Sequence, residues 1–339
     1  MKPTLIFVGR DTSGIFNHAT GLVFKMENLI FTTNTVTPVF IIVFIGFLLK
    51  RKKIINQDFN RRASKIVFNV TLPALVFSKI ATANYAQVFN PRQIIFVYVA
   101  LVSIFLFAWI IAVFISKNGR DQGAFIQGSF RSNFAIIGFA LIANAFGVDS
   151  LANAAILLAF VMPLYNVLAI LGLTIPLHKE KNLSAKKTVI DIITNPLILG
   201  ALVALPFSFF GIMLPEILST TISYLAALTL PLALLAIGGS LSFQSVKQDF
   251  KLAFAASVIK TVVMPAGLTF SAILFGFRGL DLAVMFFLFA GPAAVASYIM
   301  ADAMGSNSKL AGNIILLSTL ESIFTLSLGL YILRSFSLI

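Results

Sequence analysis

Long apolar runs recur from one end of this chain to the other, and most of the charge is confined to the short segments between them. A helix needs about 20 apolar residues to cross the hydrocarbon core of a bilayer. The sequence reads as ten such spans, at 29–49, 65–83, 94–115, 123–146, 151–176, 188–210, 215–241, 250–275, 281–304 and 309–335. In oil every backbone N–H and C=O must be paired within the protein, which leaves helices or a closed barrel. The runs are continuously apolar and do not alternate with period two, so the expected fold class is an all-α integral membrane protein. Ten spans with short loops use nearly all of the 339 residues and leave no room for a separate soluble domain. Only 11% of the residues are charged, far fewer than a soluble surface needs.

The sign and placement of those charges carry the next inference. The formal net charge is +13. Lys50, Arg51, Lys52, Lys53, Arg61 and Arg62 follow the first span. On the same side come Lys117 and Arg120, then Lys179, Lys181, Lys186 and Lys187, then Lys247 and Lys251, then Lys309. The opposite side holds Arg92, Arg278 and Arg334. The positive-inside rule therefore puts both termini on the non-cytoplasmic side of a bacterial cytoplasmic membrane. Charges dispersed through short loops mark topology; they do not form a phosphate-binding groove, so nucleic acid is not an expected partner. There is no cysteine, and the two histidines, His18 and His178, lie outside the spans. No HExxH, GxSxG, paired-Cys or Walker motif is present, so neither an enzyme, a metal site, a cofactor nor an ATP-driven pump is expected. Residues 1–27 read as a leader, with Met26 as a second plausible start.

An internal repeat organises the spans. Thr71-Leu72-Pro73 recurs as Thr229-Leu230-Pro231, Pro38 as Pro196, and Ala143 and Gly147 as Ala301 and Gly305, each at an offset of 158 positions. A shared offset across three pairs of spans points to duplication. The expected halves are 28–186 and 187–339, with five spans each. Because five is odd, the second copy must enter the membrane from the other side, which is the inverted repeat of many alternating-access transporters.

Such transporters bind substrate near the midplane, where helices are broken. The fourth and ninth spans are the matched candidates. Both are rich in small residues and both carry polar groups mid-span. Pro292 lacks an N–H and clashes with the preceding turn, so the ninth span should break near Gly291-Pro292. The fourth span has no proline, and Ser132, Asn133 and Gly138 are its weak points. Half-helix N-termini at such breaks suit a carboxylate. The blander alternative is that the small residues only allow close helix packing. Arg131 either binds an anionic substrate or snorkels to the interface. Tyr165-Asn166 follows Pro163 and either faces a cavity or makes interhelical hydrogen bonds. Lys260 and Glu321 lie mid-span, where a charge is costly unless paired or wetted. They are expected to form an ion pair, with Glu321 as a proton site the alternative. Asp302 is a candidate coupling residue. Asn195-Pro196 reads as a kink.

With these residues laid out, the chain resembles the auxin efflux carrier family in its bacterial branch, over about residues 28–336. The resemblance rests on FNVTLPALVFSKIA, SFRSNFAIIGFALIANAFG, VMPLYNVLAI, NPLILG, LTLPLALLAIGGSL, VIKTVVMP and GPAAVASYIMADAMG, in that order. It implies a fold like that of the sodium/bile-acid symporters, with the fourth and ninth helices crossed. It implies a scaffold from helices 1, 2, 6 and 7 and a transport domain from helices 3–5 and 8–10. It also brings an elevator-type motion and a homodimer formed through the scaffold. The plant PIN-FORMED carriers bind a carboxylate beside the crossing through an asparagine whose counterpart here is Asn133. Plant members have a proline before that asparagine, where this chain has Ser132. They also have two prolines around the second crossing segment, where this chain has Pro292 but Ser297. The expected site is therefore Asn133, Ser132, Arg131, Tyr165, Asn166, Gly291, Pro292, Ala293 and Ser297. The expected substrate is a small organic anion, a dicarboxylate such as malonate or malate or an auxin-like carboxylate. Sodium-coupled symport and a passive anion channel are the alternatives.

Overall fold

The computed structural model describes residues 13–82, 89–177, 194, 196–241 and 249–339. Among these, every regular element is helical, and the sole extended pairing is one isolated antiparallel bridge. The helices are α1 (Ser13–Arg51), α2 (Gln57–Ala81), α3 (Pro91–Ile115), α4a (Gly119–Phe130) and α4b (Phe134–Phe146). They continue with α5 (Leu151–Thr174), α6 (Pro196–Phe210), α7 (Glu216–Ser240) and α8 (Phe250–Leu274). The chain ends with α9a (Gly279–Ala290), α9b (Ala296–Ala303) and α10 (Ser308–Ser335).

Local chemistry explains many of the starts. Asn56, Asn90, Asn118 and Asn307 stand before α2, α3, α4a and α10, and each side-chain oxygen accepts a first-turn amide. Such a cap satisfies one of the N–H groups that a helix start leaves open. Proline interrupts little here. Pro38, Pro163, Pro206 and Pro231 all lie inside continuing helices. On α2 and α8 the turns just before Pro73 and Pro265 widen into π-type segments, Val67–Thr71 and Ile259–Val263. A proline removes one ladder bond, and a wider turn absorbs the misfit.

Among the described residues, seven helices are long and apolar enough to cross a membrane, and three shorter apolar ones cover Phe134–Phe146, Ile198–Phe210 and Gly279–Ala290. The short ones overlap the spans expected at 123–146, 188–210 and 281–304. Large apolar side chains face outwards, among them Met213 at 92% exposed and Phe114 at 83% exposed. Surfaces of this kind suit lipid, not water. Residues 13–27 are helical and run without a break into the first span, so that α1 is 39 residues long. Residues 1–12, His178, Lys179, Lys181, Lys186, Lys187, Asp191, Asn195 and Lys247 lie outside the described residues.

Two sets of contacts position the site. In the first, α7 packs on α1 and α2, and α6 packs on α2. The α1–α7 seam is very close. A Cβ added at Gly46 would stand 2.2 Å from Leu235 O, and one at Gly238 would stand 1.8 Å from Val43 O. In the second set, α4a packs against α3, α5 and α10, and α8 packs against α10 and α4a. The repeated positions also behave alike. Gly147 and Gly305 end α4b and α9b with φ of 83° and 79°, a left-handed conformation that favours glycine. Thr71 and Thr229 are both buried, and neither hydroxyl has a partner among the described residues.

Candidate functional site

The fourth and ninth spans are both broken, and their breaks meet. α4a stops at Phe130, and Arg131 and Ser132 are extended before α4b begins. α9a stops at Ala290, and the chain runs through Gly291-Pro292-Ala293-Ala294 before α9b. The two extended segments pair antiparallel, Ser132 opposite Ala293. Asn133 N–H donates to Pro292 O at 2.8 Å, and Ala294 N–H donates to Arg131 O at 3.0 Å. Ser132 Oγ donates to Gly291 O at 3.3 Å. Ser318 Oγ on α10 accepts Ala293 N–H at 3.1 Å. Each break thus supplies the partners that the other needs, which is how an interrupted helix becomes tolerable in oil. A Cβ on Gly291 would lie 2.7 Å from Ser132 Oγ and 3.1 Å from Phe287 O, so a larger residue would have to displace the Ser132 side chain.

Several polar groups at the crossing remain unspent. The first amides of α4b, at Phe134, Ala135 and Ile136, have no backbone acceptor among the described residues. The Asn133 side chain, 7% exposed, makes no hydrogen bond to any described group. Arg131 is buried, at 5% exposed, which removes the snorkelling alternative. Its Nη2 donates to Asn166 Oδ1 at 2.9 Å, and its Nη1 lies against Met300 Sδ. Neither partner carries charge, and no carboxylate pairs with this guanidinium among the described residues. Close by, the buried Gln127 Oε1 and Ser297 Oγ have no hydrogen-bond partner among the described residues, and the Tyr165 hydroxyl lies beside the backbone of Ser132. The Tyr165 ring stacks at a tilt against Phe130, the last residue of α4a.

A buried guanidinium without a counter-charge is expensive. A helix N-terminus with open amides favours an anion. Both conditions meet here, and a carboxylate would relieve both. The structure therefore brings together Arg131, Ser132, Asn133, Asn166, Gly291, Pro292 and Ala293, with Tyr165 and Ser297 buried alongside. It does not bring Asp302 there, because that side chain is exposed on α9b. On α9b the amides of Ser297 and Tyr298 are spent on Ala294 O and Val295 O, so the open amides belong to α4b.

The expected Lys260–Glu321 ion pair is absent, a correction with a clear reason: each group has found another partner. Lys260, fully buried, donates to Phe289 O at 2.5 Å in the last turn of α9a. An ammonium there answers the negative end of the half-helix. Glu321 accepts instead from Ser257 Oγ and Thr261 Oγ1. Sequence reasoning did not single out Met300, Gln127, Ser318, Ser257 or Thr261. Helical spacing could have found some of them, since Gln127 lies one turn before Arg131, and Ser257 and Thr261 flank Lys260.

A cavity of about 500 Å³ lies off the crossing, between α1, α2 and α7 on one side and α4b and the start of α5 on the other. Pro38, Lys79, Ala140, Asn144 and Pro231 are among its lining residues. Lys79 Nζ at its edge lies 3.7 Å from Asp149 Oδ1.

The family model described as Membrane transport protein matches residues 31–330. The transporter YfdV of Escherichia coli (strain K12), itself described as uncharacterized, is 24% identical over 323 residues, 90% of this chain and 99% of that protein. An uncharacterized transporter of Methanothermobacter thermautotrophicus is 21% identical over 301 residues, 88% of this chain and 97% of its own length. One from Methanocaldococcus jannaschii is 22% identical over 308 residues, with 88% and 98% covered.

Proposed function

The chain belongs to the Membrane transport protein family, the auxin efflux carrier family of the resemblance above, and on that premise we propose that it carries a small organic anion across the membrane. The observation that carries this reading is the buried Arg131 guanidinium, which has only neutral partners beside the open amides of α4b and the unbonded Asn133 amide. A carboxylate would bind with one oxygen towards those amides and Asn133, and with its charge balanced by Arg131. Burial makes such charge-assisted bonds stronger than they would be in water. A short dicarboxylate such as malonate or malate is the leading substrate, and an auxin-like monocarboxylate is the other candidate.

The mechanism proposed is alternating access by an elevator-type movement. Helices α1, α2, α6 and α7 form the scaffold, and α3 to α5 with α8 to α10 carry the site. The halves 28–186 and 187–339 would be inverted repeats of one another. The matched glycines Gly147 and Gly305 and the matched orphan hydroxyls of Thr71 and Thr229 support that relation. The 500 Å³ cavity between the two groups of helices is where the carrier would admit its substrate from one side. The loop charges support both termini outside the cytoplasm. The exposed apolar residues of α6 and α7 are where a second copy would join through the scaffold, with lipid covering the rest.

Purified protein in proteoliposomes tests the proposal. Internal unlabelled malonate or malate should drive counterflow of the labelled anion, and carboxylates should raise the melting temperature of the detergent-solubilised protein. If no carboxylate does either, the reading fails. Flux without counterflow would make the protein a pore.

A further inference from the structure

Glu321 lies in the middle of α10, and two hydroxyls of α8 meet its carboxylate. Ser257 Oγ is 2.8 Å from Oε1 and Thr261 Oγ1 is 2.9 Å from Oε2. Each hydroxyl also has an acceptor on its own helix. Ser257 Oγ lies 2.9 Å from Phe254 O, and Thr261 Oγ1 lies 2.8 Å from Ser257 O. A hydroxyl has one proton to give and lone pairs with which to accept. Counting protons yields two complete arrangements. With Glu321 ionised, both hydroxyls turn to the carboxylate. With Glu321 protonated, its O–H donates to one hydroxyl oxygen, and that hydroxyl turns its own proton to the carbonyl behind it on α8. The second hydroxyl still serves the other carboxyl oxygen. Neither state leaves a polar atom of the cluster orphaned, and no heavy atom has to move. A carboxylate held by an ammonium or by amide N–H groups has no such second state, because fixed donors oppose an acid proton.

We propose that Glu321 binds the coupling proton of transport, with Ser257 and Thr261 as rotating partners that fit both of its states. One proton passes from water to a carboxylate oxygen of Glu321, forming an O–H bond. That bond breaks to water on the other side, so one proton accompanies each anion. Glu321 is only partly covered. Its surroundings tie it to the crossing twice. Ser318, one turn earlier on α10, holds Ala293 N–H, and Lys260, between the two hydroxyl residues on α8, holds Phe289 O. The helices that clasp the proton are thus the helices that hold the broken ends of α9. Among the described side chains, the other charged or titratable groups on elements packed against α10 are Lys251 on α8, Asp281 on α9a, Tyr298 and Asp302 on α9b, Arg120 and Asp121 on α4a, and Glu27, Lys50 and Arg51 on α1. None of them, nor Lys260, forms an ion pair with Glu321.

The proposal rests on the anion-transport reading, and one experiment separates their failures. In proteoliposomes with the membrane potential clamped by potassium and valinomycin, a pH gradient should concentrate labelled malonate about tenfold per pH unit, as one proton per anion requires. Glu321→Gln should abolish that accumulation while malonate counterflow stays within a few-fold of wild type. If wild type shows counterflow but no response to the pH gradient, or if Glu321→Gln still concentrates malonate, the proton proposal is overturned and transport stands. If wild type shows neither counterflow nor accumulation with any carboxylate tried, both fall. Should Glu321→Gln not fold, Ser257→Ala and Thr261→Val decide, because they keep the carboxylate and remove one donor to its ionised form. The pH midpoint of driven uptake should then move up by about one unit in each. An unmoved midpoint in both overturns the proposal.

Discussion

The α1–α7 seam and the α4–α9 crossing are both places where two backbones nearly touch, and they achieve it in opposite ways. At the seam both helices are continuous, and glycine alone allows the approach: Gly46 sits over Leu235 O and Gly238 over Val43 O. At the crossing the helices are opened, and the freed peptide groups pair with each other. The seam has no spare volume and gains only packing, the usual currency of helix association in lipid. The crossing leaves polar groups over, namely the Asn133 amide, the Arg131 guanidinium and the first amides of α4b. Close packing makes a rigid support, while the interrupted pair makes a place where chemistry is left undone.

The contrast can be broken or sharpened by substitution. The largest effect is expected at the seam. Gly238→Ala puts a methyl group into Val43 O and should cost about 3 kcal/mol, read as a lower melting temperature and less folded protein in the membrane. A tolerated alanine would mean that the seam is not tight. Arg131→Gln should do the reverse, lowering affinity for carboxylates about 100-fold while the melting temperature without ligand holds or rises, because an unbalanced buried charge has gone. Asn133→Ala removes the hydrogen bond proposed from Asn133 to the anion and should weaken binding about tenfold. Unaltered binding by titration calorimetry would take Asn133 out of the site. Ser318→Ala strips Ala293 N–H of its acceptor and should cost about 1 kcal/mol of stability with little change in affinity. A larger loss of affinity than of stability would show that the crossing geometry is set from α10.

The membrane class, most span limits and the break at Pro292 were legible in the sequence, because hydropathy and proline act locally. The break at Ser132 was legible only as a weak point. Nothing in Arg131-Ser132-Asn133 forbids a helix, and what opens it is the pairing offered by Gly291 to Ala294. The fate of Lys260 was misread for a similar reason. Two opposite charges on neighbouring spans suggest each other, yet the ammonium found the carbonyl end of α9a and the carboxylate found two hydroxyls. Partners supplied by backbone leave no mark in a residue pattern.

The stitch between Asn133 and Pro292, and between Ala294 and Arg131, has a mechanical consequence. Prising the two strands apart would expose four bare peptide groups to hydrocarbon at a cost of several kcal/mol each. A door hinged on that line would be locked by its own threads. In the elevator-type movement proposed above, the anion would be ferried together with the stitched piece, as cargo travels with the deck it stands on.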